Sequence, residues 1–155
     1  MTNHNELSLP FGALQGYGPG GVAAYCSDYE QVDESEYPNR HAFRSYVDGV
    51  YTGYKWQCVE YARRWLLMNK GYVFDDIAMA YDIFNLTSAR HIQDNTYLPL
   101  RSFENGALRP PEPGCLLIWQ AGGEFKDTGH VAIVTEVTSE YIRVAEQNVT
   151  YGPWP

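Results

Sequence analysis

The run Gln57-Cys58-Val59-Glu60-Tyr61-Ala62-Arg63-Arg64-Trp65-Leu66-Leu67-Met68-Asn69 repeats its apolar residues with a helical period. Cys58, Ala62, Trp65 and Asn69 share one i, i+4, i+7, i+11 row, and Val59 and Leu66 widen it, so the spacing predicts a helix over 57–69. Arg63 and Arg64 lie toward the flanks of the stripe. Asn69-Lys70-Gly71 adds a basic last turn and a glycine stop. Ile77 to Asn85 carries a weaker helical pattern, and Leu86 to Asp94 fits neither period. Further on, Pro110-Pro111-Glu112-Pro113-Gly114 breaks the chain before Cys115-Leu116-Leu117-Ile118-Trp119, a short apolar run that reads as a buried strand. Val131 to Val137 and Tyr141 to Val144, around Thr138-Ser139-Glu140, read as a hairpin with a short loop. Helix first and strands afterwards is an α+β pattern.

Upstream, Phe11 to Tyr29 is rich in glycine and is expected to form irregular turns. It lacks the G-K-[ST] of a phosphate loop and opens no amphipathic helix. The chain has 155 residues, the size of one domain, and is 45% hydrophobic and 19% charged. That composition excludes collagen, coiled coil and wholesale disorder. No apolar run approaches the ~18–20 residues of a membrane span. The first ten residues are polar and lack the pattern of a secretory signal. Eleven basic against 19 acidic residues leave a net charge of −8, which argues against nucleic acid and suits either a cationic ligand or simple solubility. Three widely spaced cysteines, Cys26, Cys58 and Cys115, make neither a disulfide framework nor a zinc pattern. A cytoplasmic protein with a free thiol is expected, without metal or cofactor.

Cys58 falls in the first turn of the expected helix, where the positive end of the helix dipole favours a thiolate. Most free cysteines are merely small buried hydrophobes. His130, in Asp127-Thr128-Gly129-His130-Val131, and Glu146, before Gln147-Asn148, would each be unremarkable alone. Hairpin geometry couples them. With a three-residue loop, Val137 opposes Tyr141 and Ala132 opposes Glu146, so His130 lies diagonal to Glu146, opposite Asn148, on one face. An even loop would place base and carboxylate on opposite faces. A thiol, an imidazole and an orienting acid are the parts that Cys–His nucleophilic catalysis requires.

Four stretches carry a family resemblance. Gly53-Tyr54-Lys55-Trp56-Gln57-Cys58-Val59-Glu60-Tyr61-Ala62-Arg63-Arg64 resembles the cysteine motif of CHAP domains, the cysteine- and histidine-dependent amidohydrolases and peptidases. Pro113 to Trp119, Lys126 to Ile133 and Ala145 to Asn148 resemble the family's later motifs, in the family's order. Trp56 to Arg64, Phe11 to Tyr17 and Phe43 to Tyr46 are similar to one branch, the amidase domains of bifunctional glutathionylspermidine synthetase/amidases. The resemblance implies a papain-like α+β fold, with a helix bearing the nucleophile packed on an antiparallel sheet. It covers nearly all of residues 1–155 as a single domain. Domains of this family continue with further strand where this chain reaches Tyr151-Gly152-Pro153-Trp154-Pro155, so truncation at that edge stays open.

The implied reaction is hydrolysis of the amide between glutathione and spermidine. Cys58 would attack, His130 would protonate the leaving amine and Glu146 would hold His130. Gln57 and the Cys58 N–H are candidates for the oxyanion hole, with Asn148 orienting the site or assisting. Arg63 and Asp127 are candidate substrate contacts; for Arg63, a helix-surface salt bridge is the equal alternative. The expected partner is a small glutathione–polyamine conjugate, not nucleic acid or membrane, and the synthetase domain of related proteins has no room here. The alternatives are a peptidoglycan amidase or endopeptidase, and a non-catalytic thiol- or polyamine-binding module.

Overall fold

The computed structural model describes residues 8–155. A first hairpin pairs β1 (Leu14–Gly18) with β2 (Val22–Tyr25), and a second pairs β3 (Arg44–Val47) with β4 (Val50–Tyr54). The helix α1 (Cys58–Lys70) follows. A small sheet joins β5 (Tyr72–Val73), β6 (Ser88–His91) and β7 (Tyr97–Pro99). The last sheet has β8 (Leu116–Trp119) and β10 (Ile142–Ala145) flanking a central β9 (His130–Val137). Every strand pair is antiparallel, and the architecture is the expected α+β.

The helix stops where its sequence says it should. Gly71 takes a left-handed φ of 73°, and its N–H bonds back to Leu67 O. Its N-terminal half is buried on every side, from Cys58 to Trp65, including Glu60, Arg63 and Arg64. This corrects the flank position expected for the two arginines. β4 covers one side, while β2 and β9 cover others, so the charged residues are enclosed together. Glu60 meets Arg64 at 3.0 Å and accepts the Thr52 hydroxyl at 2.7 Å; Arg64 also donates to Ala23 O at 2.6 Å. A buried pair of this kind is costly to break, about 3–5 kcal/mol, because the surviving charge has no water.

Val131, Ile133, Val22, Ala24, Tyr61, Trp65, Phe74 and Ile83 form the core between α1, β2 and β9. β9 is buried on both faces along Val131–Val134, as expected of a central strand. Each such aliphatic side chain contributes about 1.5–3 kcal/mol when fully buried.

Two local expectations need correcting. The glycine-rich segment is not irregular: it folds into β1 and β2, because Gly16 and Gly18 leave the strand face bare for Trp154 and for the Tyr61 hydroxyl to lie directly on the backbone. The weak helical pattern at Ile77–Asn85 yields only a 3-10 turn over Ala80–Asn85, packed against β8 and β9. Leu86 to Asp94 resolves into β6, the strands β3, β4, β5 and β7 went unread, and Cys115 is exposed just before β8.

The hairpin register holds the main surprise. Near the turn Ile142 pairs with Val137, so the loop is Thr138–Tyr141, four residues and not three. An even loop alone would separate His130 from Glu146. A bulge restores the facing: Arg143 pairs with Glu136 and Val144 with Val134, leaving Thr135 as the extra residue, its hydroxyl on Arg143 O at 3.2 Å. Beyond it, Ala145 opposes Ile133, which is the register the three-residue loop would have produced.

Candidate active site

A glycine turn before β9 and a glycine within β4 place His130 and Cys58. Gly129 has φ +65° and donates to Phe125 O at 3.1 Å, and a side chain there would collide with Trp119 O; the turn delivers His130 to the first position of β9. Gly53 in β4 has φ +137°, and a Cβ would sit 3.0 Å from Glu60 Cα, so the strand presses flat against the first turn of α1, where Cys58 lies.

Cys58 and His130 line one cavity of about 400 Å³, together with Glu124, Phe125, Lys126, Asp127, Thr128, Gly129, Asn148, Val149 and Tyr151. His130 is 2% exposed, and its Nε2–H donates to Glu146 Oε2 at 2.6 Å. Nδ1 is thereby left to exchange a proton with the thiol. Burial pulls the imidazole pKa down, but hydrogen bonding and charge from Cys58 and Glu146 outweigh it and hold the value at about 9. Protonated imidazole is therefore the resting state at neutral pH.

The other expected site residues are placed unequally. Asp127 and Asn148 reach the cavity wall, and Asn148, at φ +66°, accepts the Ser27 hydroxyl at 2.5 Å. Gln57 is the N-cap of α1 with no side-chain cap bond, and it does not line the cavity. Arg63 lies away from it altogether, with Nε on Phe74 O at 3.0 Å and the guanidinium 3.9 Å from Asp76, against the rings of Tyr51 and Phe74. Its place is in the packing between α1 and the segment after β5.

Two contributions were not read from sequence. Phe125 stacks on the His130 ring at 4.6 Å and 13°, and Trp119 leans on it at 5.3 Å, so the imidazole is held in an aromatic slot. Trp119 could have been found from its pairing opposite His130; nothing local marks Phe125. Gln147, 1% exposed, joins the Glu60–Arg64 pair to the start of α1. Among the described residues no group of three or more His, Cys, Asp or Glu is arranged to hold a metal, and no helix is long and apolar enough to cross a membrane.

A thiol at a helix N-terminus, on one cavity with an imidazole bonded to a carboxylate, holds the groups that Cys–His hydrolysis needs. The chain belongs to the CHAP domain family, whose model matches residues 49–148. It is 55% identical, over 94% of its length, to the bifunctional glutathionylspermidine synthetase/amidase of Escherichia coli (strain K12), and equally so to that of Shigella flexneri. It is 37% identical over the same share to the trypanothione synthetase of Crithidia fasciculata. These alignments cover 24% and 21% of the relatives, so the chain spans about a quarter of their length. Family and relatives together support a thiol-dependent hydrolase of amides.

Proposed function

We propose that this chain hydrolyses the amide of glutathionylspermidine, releasing glutathione and spermidine. The observation that carries the reading is the placement of Cys58 and His130 on one cavity with Glu146 behind the ring. The Cys58 thiolate attacks the amide carbonyl, and the oxyanion is met by the backbone N–H at the helix start, a donor typically worth ~10²–10³ in rate. As the intermediate collapses, the imidazolium gives its proton to the departing amine, which leaves as free polyamine. Water, deprotonated by the now neutral His130, then attacks the thioester and regenerates the thiol. Glu146 keeps the ring oriented and stabilises its charge throughout.

Glu124 and Asp127 on the cavity wall suit a polycationic leaving group, and Lys126 beside them suits a glutathione carboxylate. The net charge of −8 favours the same cation. The unpaired state of Cys26, Cys58 and Cys115 supports a reducing, cytoplasmic setting. The relatives' names pair amidase with synthetase, and a synthetase partner supplying the same conjugate fits this reading. Incubation with glutathionylspermidine should liberate spermidine at a rate abolished by Cys58→Ala. Muropeptide release from peptidoglycan without spermidine release would transfer the assignment to a cell-wall hydrolase.

A further inference from the structure

We infer that Gln147 is a positioning residue for the reaction: its carboxamide ties the start of the nucleophile's helix to the strand end that holds the base. The inference rests on the thiol-hydrolase reading of this site and extends it to a residue outside the cavity. Gln147 Nε2 donates to Gln57 O at 3.0 Å and to Glu60 Oε1 at 3.1 Å. Its Oε1 accepts from Tyr25 N at 3.0 Å and from Arg64 Nη2 at 3.2 Å. Both amide hydrogens and both lone pairs are used, in a side chain with 1% exposure.

Gln57 O is the decisive partner. It is the carbonyl that starts α1, accepting Tyr61 N at 3.2 Å, and it belongs to the residue just before Cys58. Since the N-cap side chain makes no capping bond, the anchoring of this helix start comes from across the fold. Glu146, the preceding residue, bonds His130. Consecutive residues past the end of β10 therefore reach in opposite directions, one to the base and one to the nucleophile's turn, with a single peptide bond between them. Cys58 and His130 are thus registered through residues 146–147, not only through general packing of α1 on β9. A carboxamide is needed at 147, because the position must donate to a carbonyl and a carboxylate while accepting from an amide and a guanidinium. A misplacement of ~1 Å at such a pair can cost ~10²-fold in rate.

Two variants test this. Gln147→Met keeps shape and burial and removes all four bonds. The double variant Glu60→Gln with Gln147→Glu keeps one carboxylate and one carboxamide beside Arg64, but no longer donates to Gln57 O. For both, we expect kcat on glutathionylspermidine to fall ~10–100-fold with KM changed less than about twofold. Iodoacetamide alkylation of Cys58 should slow at neutral pH, with its pH profile displaced to the alkaline side. Reading kcat and alkylation at a temperature where each variant is fully folded by circular dichroism separates positioning from stability. Folded variants with the wild-type kcat and alkylation profile would overturn the proposal. So would failure of both to fold, since Gln147 would then serve stability first. If wild-type Cys58 itself resists alkylation at neutral pH, the underlying thiol reading fails instead.

Discussion

His130 is held by Glu146 on one nitrogen and faces Cys58 from the same cavity, and this arrangement dictates the pH behaviour. Its value in the fold, about 9 against an ordinary 6.5, means that folding favours the charged ring. The associated stability is complete below pH 6.5 and is lost as pH rises through about 9. In the proposed reaction the imidazolium is also the acid that protonates the leaving amine, so kcat/KM should hold through neutral pH and decline as pH passes about 9. Glu146→Gln keeps the hydrogen-bonding shape and removes the charge. Its alkaline limb should move to lower pH, with a smaller loss than the ~10²–10⁴-fold expected for His130→Ala. An unshifted limb would hand the orienting role to Asn148, two residues on. Peptide mapping after brief alkylation at pH 6 should find Cys58 labelled first, although Cys115 is the exposed cysteine and Cys26 is fully buried. Cys58 alone shares a cavity with an imidazole that can take its proton. Faster labelling of Cys115 would contradict its role as the nucleophile.

At the scale of elements, the site depends on how closely β4 approaches α1. Gly53→Ala would need a left-handed φ of 137° from alanine and would drive a methyl to 3.0 Å from the Glu60 backbone. We expect about 2–3 kcal/mol of destabilisation, from overpacking added to backbone strain, visible as a lower urea midpoint at unchanged slope. Activity should fall beyond the loss of folded protein, because the displaced turn carries Cys58. The β9–β10 hairpin teaches a related lesson. The facing of His130 and Glu146 was expected from an odd loop and is achieved by an even loop plus a bulge at Thr135. Two parity changes cancel. The facing is fixed by the bulge and not by apolar alternation, since β9 is buried on both faces along Val131–Val134 and β10 is exposed except at Ala145.

Across the whole molecule, the last residues are tied to the first strand. Gln15 donates to Thr150 O at 2.7 Å and to Gly152 O at 2.9 Å, while Trp154 N donates to Gln15 O at 2.8 Å. The Trp154 ring lies over Gly16 and meets Tyr61 edge-on at 6.4 Å. Trp154→Ala should cost about 2 kcal/mol, below the ~3–5 of a fully buried aromatic because the ring is only half-buried. The melting temperature checks this. Cys58 alkylation should stay near wild type, since the Trp154 ring packs on β1 and does not line the cavity.

Periodicity and end signals alone determined the helix from Cys58 to Lys70 and the strands at Leu116–Trp119, His130–Val137 and Ile142–Ala145, because each is specified by residues within one element. The burial expected of Leu116–Trp119 was not met, since that strand is half-buried with Trp119 exposed, and the hairpin's loop and bulge were decided elsewhere. Residue types and their order likewise marked the thiol, imidazole and carboxylate. Only the tertiary structure decided the rest. Arg63 and Arg64 look like solvent-facing residues until β4, β2 and β9 close around the helix, where Arg64 meets Glu60 and Arg63 donates to Phe74 O. Glycines at 16 and 18 read as turns, yet they are strand positions cleared for Trp154 and Tyr61 to pack on, partners more than 40 residues away. Phe125 and Gln147 gain their meaning only when a ring or a helix carbonyl arrives from elsewhere in the chain. Local sequence sets which conformation a segment prefers; which side chains it must accommodate is settled by contacts that no local pattern encodes.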